Sequence, residues 1–568
     1  MTQVFDGNFS EGCQRMLHSV GHGREQEAIT SFHEGDFRPE PIEHRAFIQM
    51  LIDIKANDLA SAVALKVYGE DKVSIDNIVS AARSQLHCQR PDDAIKIASD
   101  GTTALGPNPT LHLIVGLAMM SVGSLDNAGS VIQNALKMNA EAIGMAYLGE
   151  VLRLMGRLDE AITCHERCLT AGCKEAEAFL LAGNAYYDDG QIGKALNHYE
   201  KAVVLKRHYI DAHDTLNKAL WEHGEHTNFL KSFDLAIEKL PSLLALRLRQ
   251  AYFRILAGKL DDATAQLEEC LEAFGPNARI YAELASVKQQ LDENFDALPL
   301  YEQAYEKDAT DVSMLKAYGR ALIGAKQYDR AAEILAECKS IDSSDQECLA
   351  FLAAANIHVN PAEAARVNDY NELVQVYELD THGGYATHAD FNAALLRALQ
   401  PHHRSEAAPI DQTLVHGTQT HGMLFNKADG EIKALETQLK VSIGQYIEHL
   451  QKVGPSEFKN RITDGFDFSG AWSVQLSEGG FHHDHVHTAG WISSVYYVEV
   501  PEDLDDDAHE GWLKFGDAHF DPENSGPHRH IKPVPGRLVL FPSYMLHGTV
   551  PIKSGKRRTT VAFDVVPT

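Results

Sequence analysis

The sequence predicts a multidomain chain: an all-α solenoid of stacked helix-turn-helix repeats, then a smaller β domain with flanking helices. Three observations carry this. Small residues recur at near-constant steps through the first 350 residues. Near residue 360 the recurrence stops, and alternating, β-branched segments bounded by Gly and Pro replace it. Four histidines and an aspartate crowd into the stretch His482-His483-Asp484-His485-Val486-His487, just ahead of one such segment.

The repeat is read from alanines at 28, 60, 94, 128, 161, 195, 263, 297 and 331, spaced by 32, 34, 34, 33, 34, 68, 34 and 34. The double step skips one slot, which Phe229 fills. Seven residues further on, small residues recur at Ala135, Cys168, Ala202, Ala236, Cys270, Ala304 and Cys338. Gly116, Gly149, Gly183 and Gly319 share a slot in the first helix of the unit. Gly123, Gly156, Gly190, Gly224 and Gly258 share one at the turn. Small residues mark where two amphipathic helices approach most closely, and a turn glycine accepts positive φ cheaply. A period of 34 resembles a tetratricopeptide (TPR) array, here about nine or ten repeats within residues 1–360. The resemblance implies a concave groove that binds a protein or peptide.

Bulk properties narrow the partners. A formal net charge of -29 repels phosphate backbones, so no nucleic acid is expected. No apolar run reaches the roughly 18 residues of a membrane span, so no membrane is expected either. The opening MTQVFDGNFSEGCQ lacks the basic and apolar regions of a secretion signal, which makes cytoplasmic the expected location. The eight cysteines lie in no zinc-binding spacing and read as small buried thiols of a reducing compartment.

The second domain is expected over 361–568. Helices are expected at 361–376, 388–399 and 428–453, and strands at 471–477, 490–501, 511–517, 537–543 and 558–566. Short strands with Gly/Pro turns suggest an antiparallel sandwich or jelly roll. Past the histidine cluster, His547 follows one strand and Arg558 opens the last.

These pieces together resemble the Fe(II)/2-oxoglutarate-dependent oxygenases, whose fold is the double-stranded β-helix, a jelly roll. The resemblance rests on His485-Val486-His487, Trp491 to Tyr497, Pro533 to Ser543, His547 and Arg558-Thr559-Thr560, with GTQTHG (417–422) near the domain start. It implies Fe(II) as metal, 2-oxoglutarate as cosubstrate, molecular oxygen as co-reactant and hydroxylation as reaction. Non-haem Fe(II) takes imidazole and carboxylate ligands on one face, and an arginine pairs bidentately with a carboxylate. The resemblance thus implies His485, His487 and His547 as metal ligands, and Arg558, with Thr560 and Tyr497, as the cosubstrate's partners. Such enzymes usually show His-x-Asp, and His482-His483-Asp484 matches that literally. On an extended strand the two choices face opposite ways. An all-histidine set also suits Zn(II) or Cu(II). His519, His528 and His530 read as loop histidines. Two other readings remain: a TPR scaffold with an inactive or metal-sensing sheet domain, and a cupin-type metal enzyme that does not use 2-oxoglutarate.

Overall fold

A computed structural model describes residues 11–21, 25–34, 44–291, 294–379, 384–427, 429–524 and 526–568. The first ten residues, on which the reading of the N-terminus partly rests, lie outside them. The chain forms two compact units. One runs to Trp221 and resumes over Glu225–Asn277; the other comprises Glu222–Gly224 and Ala278–Thr568.

The first unit is a helical array whose close contacts fall at the small residues. Ala60, Ala94, Ala128, Ala161, Ala195 and Ala263 are all fully buried. A Cβ added to Gly183 would lie 2.4 Å from the Tyr199 ring; one on Gly116 would lie 2.4 Å from Ile132. The turn glycines Gly123, Gly156, Gly190 and Gly258 have φ of 77°, 76°, 81° and 70°, as a left-handed helix end requires.

The skipped slot has a structural consequence. Elsewhere the second helix begins three residues before its alanine, as at Leu158 for Ala161 and Leu260 for Ala263. Here it begins only at Lys231, past Phe229. A phenylalanine is too large for the close approach, and the first turn is lost. Leu230 takes φ of 69°, and its N–H donates to Asn217 Oδ1 at 2.6 Å.

In the second unit the repeat pattern continues through helices Ala278–Gln290, Asn294–Lys307, Val312–Gly324, Tyr328–Ile341 and Gln346–Val359. The expected helix over 361–376 is broken into Pro361–Val367 and Tyr370–Leu373. Asp369 caps the second piece by accepting from the N–H groups of Asn371 and Glu372. Gln-Val-Tyr-Glu then turns to strand, β1 (Gln375–Glu378).

Eight more strands follow: β2 (Leu414–Gln419), β3 (Phe466–His482), β4 (Ile492–Glu499), β5 (Leu513–Phe515), β6 (Arg529–Ile531), β7 (Arg537–Pro542), β8 (His547–Thr549) and β9 (Arg558–Pro567). They make a six-stranded antiparallel sheet in the order β1-β7-β4-β9-β3-β2 and a three-stranded sheet β6-β5-β8. This arrangement is consistent with a jelly roll. Helices His388–Leu399 and Gly430–Val453 cover one face of the large sheet. Phe391, Leu395, Ile432, Leu435, Leu439, Ile443 and Tyr446 join Tyr496, Val561, Phe563 and Val565 in one core. Burying each such side chain contributes about 1.5–3 kcal/mol. The Tyr496 hydroxyl donates to Asn392 Oδ1 at 2.7 Å, which orients the even-numbered residues of β4 toward this helical layer. The odd-numbered ones face the other way.

Candidate metal centre

Register decides what the opposite face carries. Ser493 lies across from Asp564 and Tyr497 from Thr560, while Val474 and Trp472 of β3 lie across from Thr560 and Ala562. Every second residue of β9, from Arg558 through Thr560 and Ala562 to Asp564, therefore points away from the core. These four side chains, with Trp472, Val474 and Val495, line a cavity of about 440 Å³. Leu513 and Thr549 of the small sheet line it too, so it lies between the two sheets.

Three imidazoles converge at this cavity. His485, His487 and His547 bring their ligand atoms within 4.8 Å of one another. His547 opens β8, and its backbone exchanges two hydrogen bonds with that of His485, at 2.9 and 3.0 Å. His485 and His487 lie outside the strands, as β3 ends at His482, and this isolated bridge at His485 holds the segment against β8.

Each ring is held by its Nδ1. His485 Nδ1 lies 2.7 Å from the His483 carbonyl, His547 Nδ1 2.9 Å from the Met545 carbonyl, and His487 Nδ1 2.6 Å from Asp564 Oδ1. Carbonyls only accept, so the Nδ1 of His485 and of His547 carries the proton and in the neutral ring each Nε2 keeps its lone pair, while Asp564 turns the Nδ1 of His487 outward and leaves its Nε2 facing the cavity. His485 Nε2 and His487 Nε2 then face each other at 3.1 Å. Two ring nitrogens that close need a proton or a metal ion between them, and with the His547 ligand atom within 4.8 Å of both this donor set fits a metal ion. Burial, more than the neighbouring rings, holds His485 down at about 3 and His547 well below the ordinary imidazole value. Both rings therefore favour the neutral form, the form that can ligate a metal.

The alternative pair is placed differently. Asp484 stands outside the three-histidine group, and its carboxylate lies 2.7 Å from Lys514 Nζ. His482 lines the cavity, 5.8 Å from His485 between ring centroids, and approaches Thr413 Oγ1 at 3.3 Å. His528 stacks on Tyr370 and His530 on His509, and neither joins the three-histidine group; His519 is exposed.

Arg558 is 2% exposed and lines the same cavity. Its guanidinium carbon lies 5.0 Å from the centroid of the Tyr497 ring. The Tyr497 hydroxyl and the Arg558 side chain act on each other, but neither that hydroxyl nor Arg558 Nε makes a well-aligned hydrogen bond among the described residues. Buried polar groups left that way cost about 1–3 kcal/mol each, the mark of a site that awaits a ligand's oxygen atoms. Burial lowers the Arg558 pKa and raises that of the Tyr497 phenol.

Residues 470–564 match the family described as "Putative 2OG-Fe(II) oxygenase". That span holds the three histidines, Arg558 and Asp564. Residues 183–224 match the TPR repeat family. An uncharacterized lipoprotein of Treponema pallidum (strain Nichols) is 33% identical over 85 residues, 15% of this chain; the chain spans 43% of that relative's length. Among solved structures, a thermophilic TPR protein of Thermus thermophilus is 19% identical, with a TM-score of 0.29, covering 32% of this chain and 98% of its own. A Pseudomonas putida prolyl-4-hydroxylase is 17% identical, with a TM-score of 0.25, covering 36% of this chain and 98% of its own. No helix among the described residues is long and apolar enough to cross a membrane.

Asp564 is the site residue that sequence reasoning missed. The signal was present in Arg558-Thr-Thr-Val-Ala-Phe-Asp564: its residues alternate, and counting by two from the arginine reaches the aspartate.

Proposed function

We propose that the strand-bearing domain, expected over 361–568, is an Fe(II)- and 2-oxoglutarate-dependent oxygenase. It hydroxylates a protein or peptide substrate that the repeat array, expected over 1–360, brings to it. The observation that carries this reading is that three converging imidazoles and a buried arginine, whose Nε has no hydrogen-bond partner among the described residues, open onto one cavity. His485, His487 and His547 would hold Fe(II). Bound there, the metal supplies the redox chemistry that couples oxidation of 2-oxoglutarate to succinate and carbon dioxide with insertion of oxygen into a C–H bond. Arg558 pairs with the cosubstrate's distal carboxylate, and the Tyr497 and Thr560 hydroxyls donate to it. The apolar wall of Val474, Val495 and Phe541 keeps water from that pair and strengthens it.

The eight cysteines include no disulfide, which suits a cytoplasmic location. The all-imidazole set favours one second reading, a cupin-type Zn(II) or Cu(II) enzyme without 2-oxoglutarate. Turnover separates the two. Full-length protein with Fe(II), oxygen and 2-oxoglutarate is expected to release succinate, and Arg558→Ala to abolish the release. Peptides captured by the array are expected to gain one oxygen atom by mass spectrometry. Succinate release that survives Arg558→Ala would refute the assignment of the cosubstrate.

A further inference from the structure

Asp564 is 8% exposed, and its Oδ1 accepts two hydrogen bonds, from His487 Nδ1 at 2.6 Å and from Ser493 Oγ at 2.7 Å. Ser493 Oγ lies 2.8 Å from Ser543 Oγ, and the Ser543 carbonyl accepts from the His487 backbone N–H at 3.1 Å. Gly490 makes room for this network: a Cβ there would stand 2.3 Å from Ser543 Oγ. His487 is thus fixed at its ring by a buried carboxylate and at its backbone by the residue that helps orient that carboxylate. His485 and His547 have only carbonyls behind them.

We infer that Asp564 is a positioning residue that supplies, through the His487 imidazole, the negative charge a three-histidine ligand set lacks. This rests on the proposed metal site. Three neutral imidazoles leave a dication uncompensated in a buried cavity, which is costly. The buried guanidinium of Arg558 adds a further positive charge on the same cavity wall. Asp564 removes one unit of that excess without occupying a coordination position, and dianionic 2-oxoglutarate neutralises the rest. A carboxylate behind a ligating imidazole also fixes its tautomer and makes its Nε2 a stronger donor. The carboxylate is therefore moved one ring outward, which leaves the metal's open positions to cosubstrate and oxygen.

The test is Co(II) binding to full-length protein under anaerobic conditions, followed by its visible absorption. The variants are Asp564→Asn and Ser493→Ala. Asparagine keeps the size and an acceptor oxygen and removes the charge. Asp564→Asn is expected to weaken Co(II) binding about 10–100-fold and shift the absorption band, with the metal-free unfolding midpoint nearly unchanged. Ser493→Ala, which loosens the carboxylate without removing it, is expected to weaken binding a few-fold. Wild-type affinity and spectrum in Asp564→Asn would overturn the inference. So would equal losses of affinity and metal-free stability in both variants, which mark a structural role. Wild type that binds Co(II) but not 2-oxoglutarate would sink the oxygenase reading and leave this inference standing; wild type that binds no metal would sink both.

Discussion

His358 Nε2 lies 2.7 Å from Asp521 Oδ2, and this contact ties the last repeat helix to the loop between β5 and β6. Asp521 is fully buried; its Oδ1 also accepts from the Tyr328 hydroxyl at 3.0 Å, and the Tyr328 and His358 rings stack at 3.7 Å. Lys339 and Arg366 both reach Glu457 nearby. The helical hairpin Tyr328–Val359 is thus built into the second compact unit. Asp521→Ala leaves two half-buried polar groups, the Tyr328 hydroxyl and His358, without their acceptor and is expected to cost about 1–3 kcal/mol. A fragment starting at 278 is expected to fold, and one starting at 361 to aggregate. Chemical denaturation and size-exclusion chromatography check both.

Arg558→Lys keeps the charge but loses the planar fork. It is expected to raise the 2-oxoglutarate dissociation constant roughly 10–100-fold, the size of a lost charge-assisted hydrogen bond. Tyr497→Phe removes a buried hydroxyl that interacts with the Arg558 side chain in the free protein. Cosubstrate affinity is expected to fall while free-protein stability changes little. Calorimetry and thermal unfolding separate the two effects.

The array's close contacts give a paired test. Gly183→Ala forces a Cβ to within 2.4 Å of the Tyr199 ring and is expected to destabilise by about 1–3 kcal/mol. A Cβ on Gly193 meets nothing within 4 Å, so Gly193→Ala is expected to be neutral or stabilising by up to about 1 kcal/mol. Urea unfolding of the full chain reads both.

Acid is expected to weaken the metal-free protein. His485 at about 3, and His482 and His547 held well below the ordinary imidazole value, stay neutral in the fold while the unfolded chain takes up protons below about 6.5. The unfolded state therefore binds more protons, and stability falls as pH drops from about 7 toward 4. The unfolding midpoint is expected to fall over that window, and less steeply in His547→Phe. A flat profile would contradict the burial of these rings.

The array was legible because its close-approach residues recur at a fixed step, and the exception at Phe229 marks a slot where a helix loses its first turn. Thr560, Ala562 and Asp564 share a face with Arg558 by strict alternation, so much of the cavity wall was legible as well. The strand at 375–378 was not, since a four-residue edge strand beside helical pieces carries too little periodicity. Nor was the placement of Asp484 on Lys514. The chain leaves β3 after His482, and strand alternation no longer governs which way His485 and His487 turn.

The most direct test of the central claim is anaerobic titration of the metal-free protein with Fe(II) and 2-oxoglutarate, watched for the visible metal-to-ligand charge-transfer band. A band is expected in wild type and in Asp484→Ala, and none in His487→Ala or Arg558→Ala. A band lost in Asp484→Ala but kept in His487→Ala would move the ligand set to His482 and Asp484. Metal bound with no band would contradict the oxygenase itself.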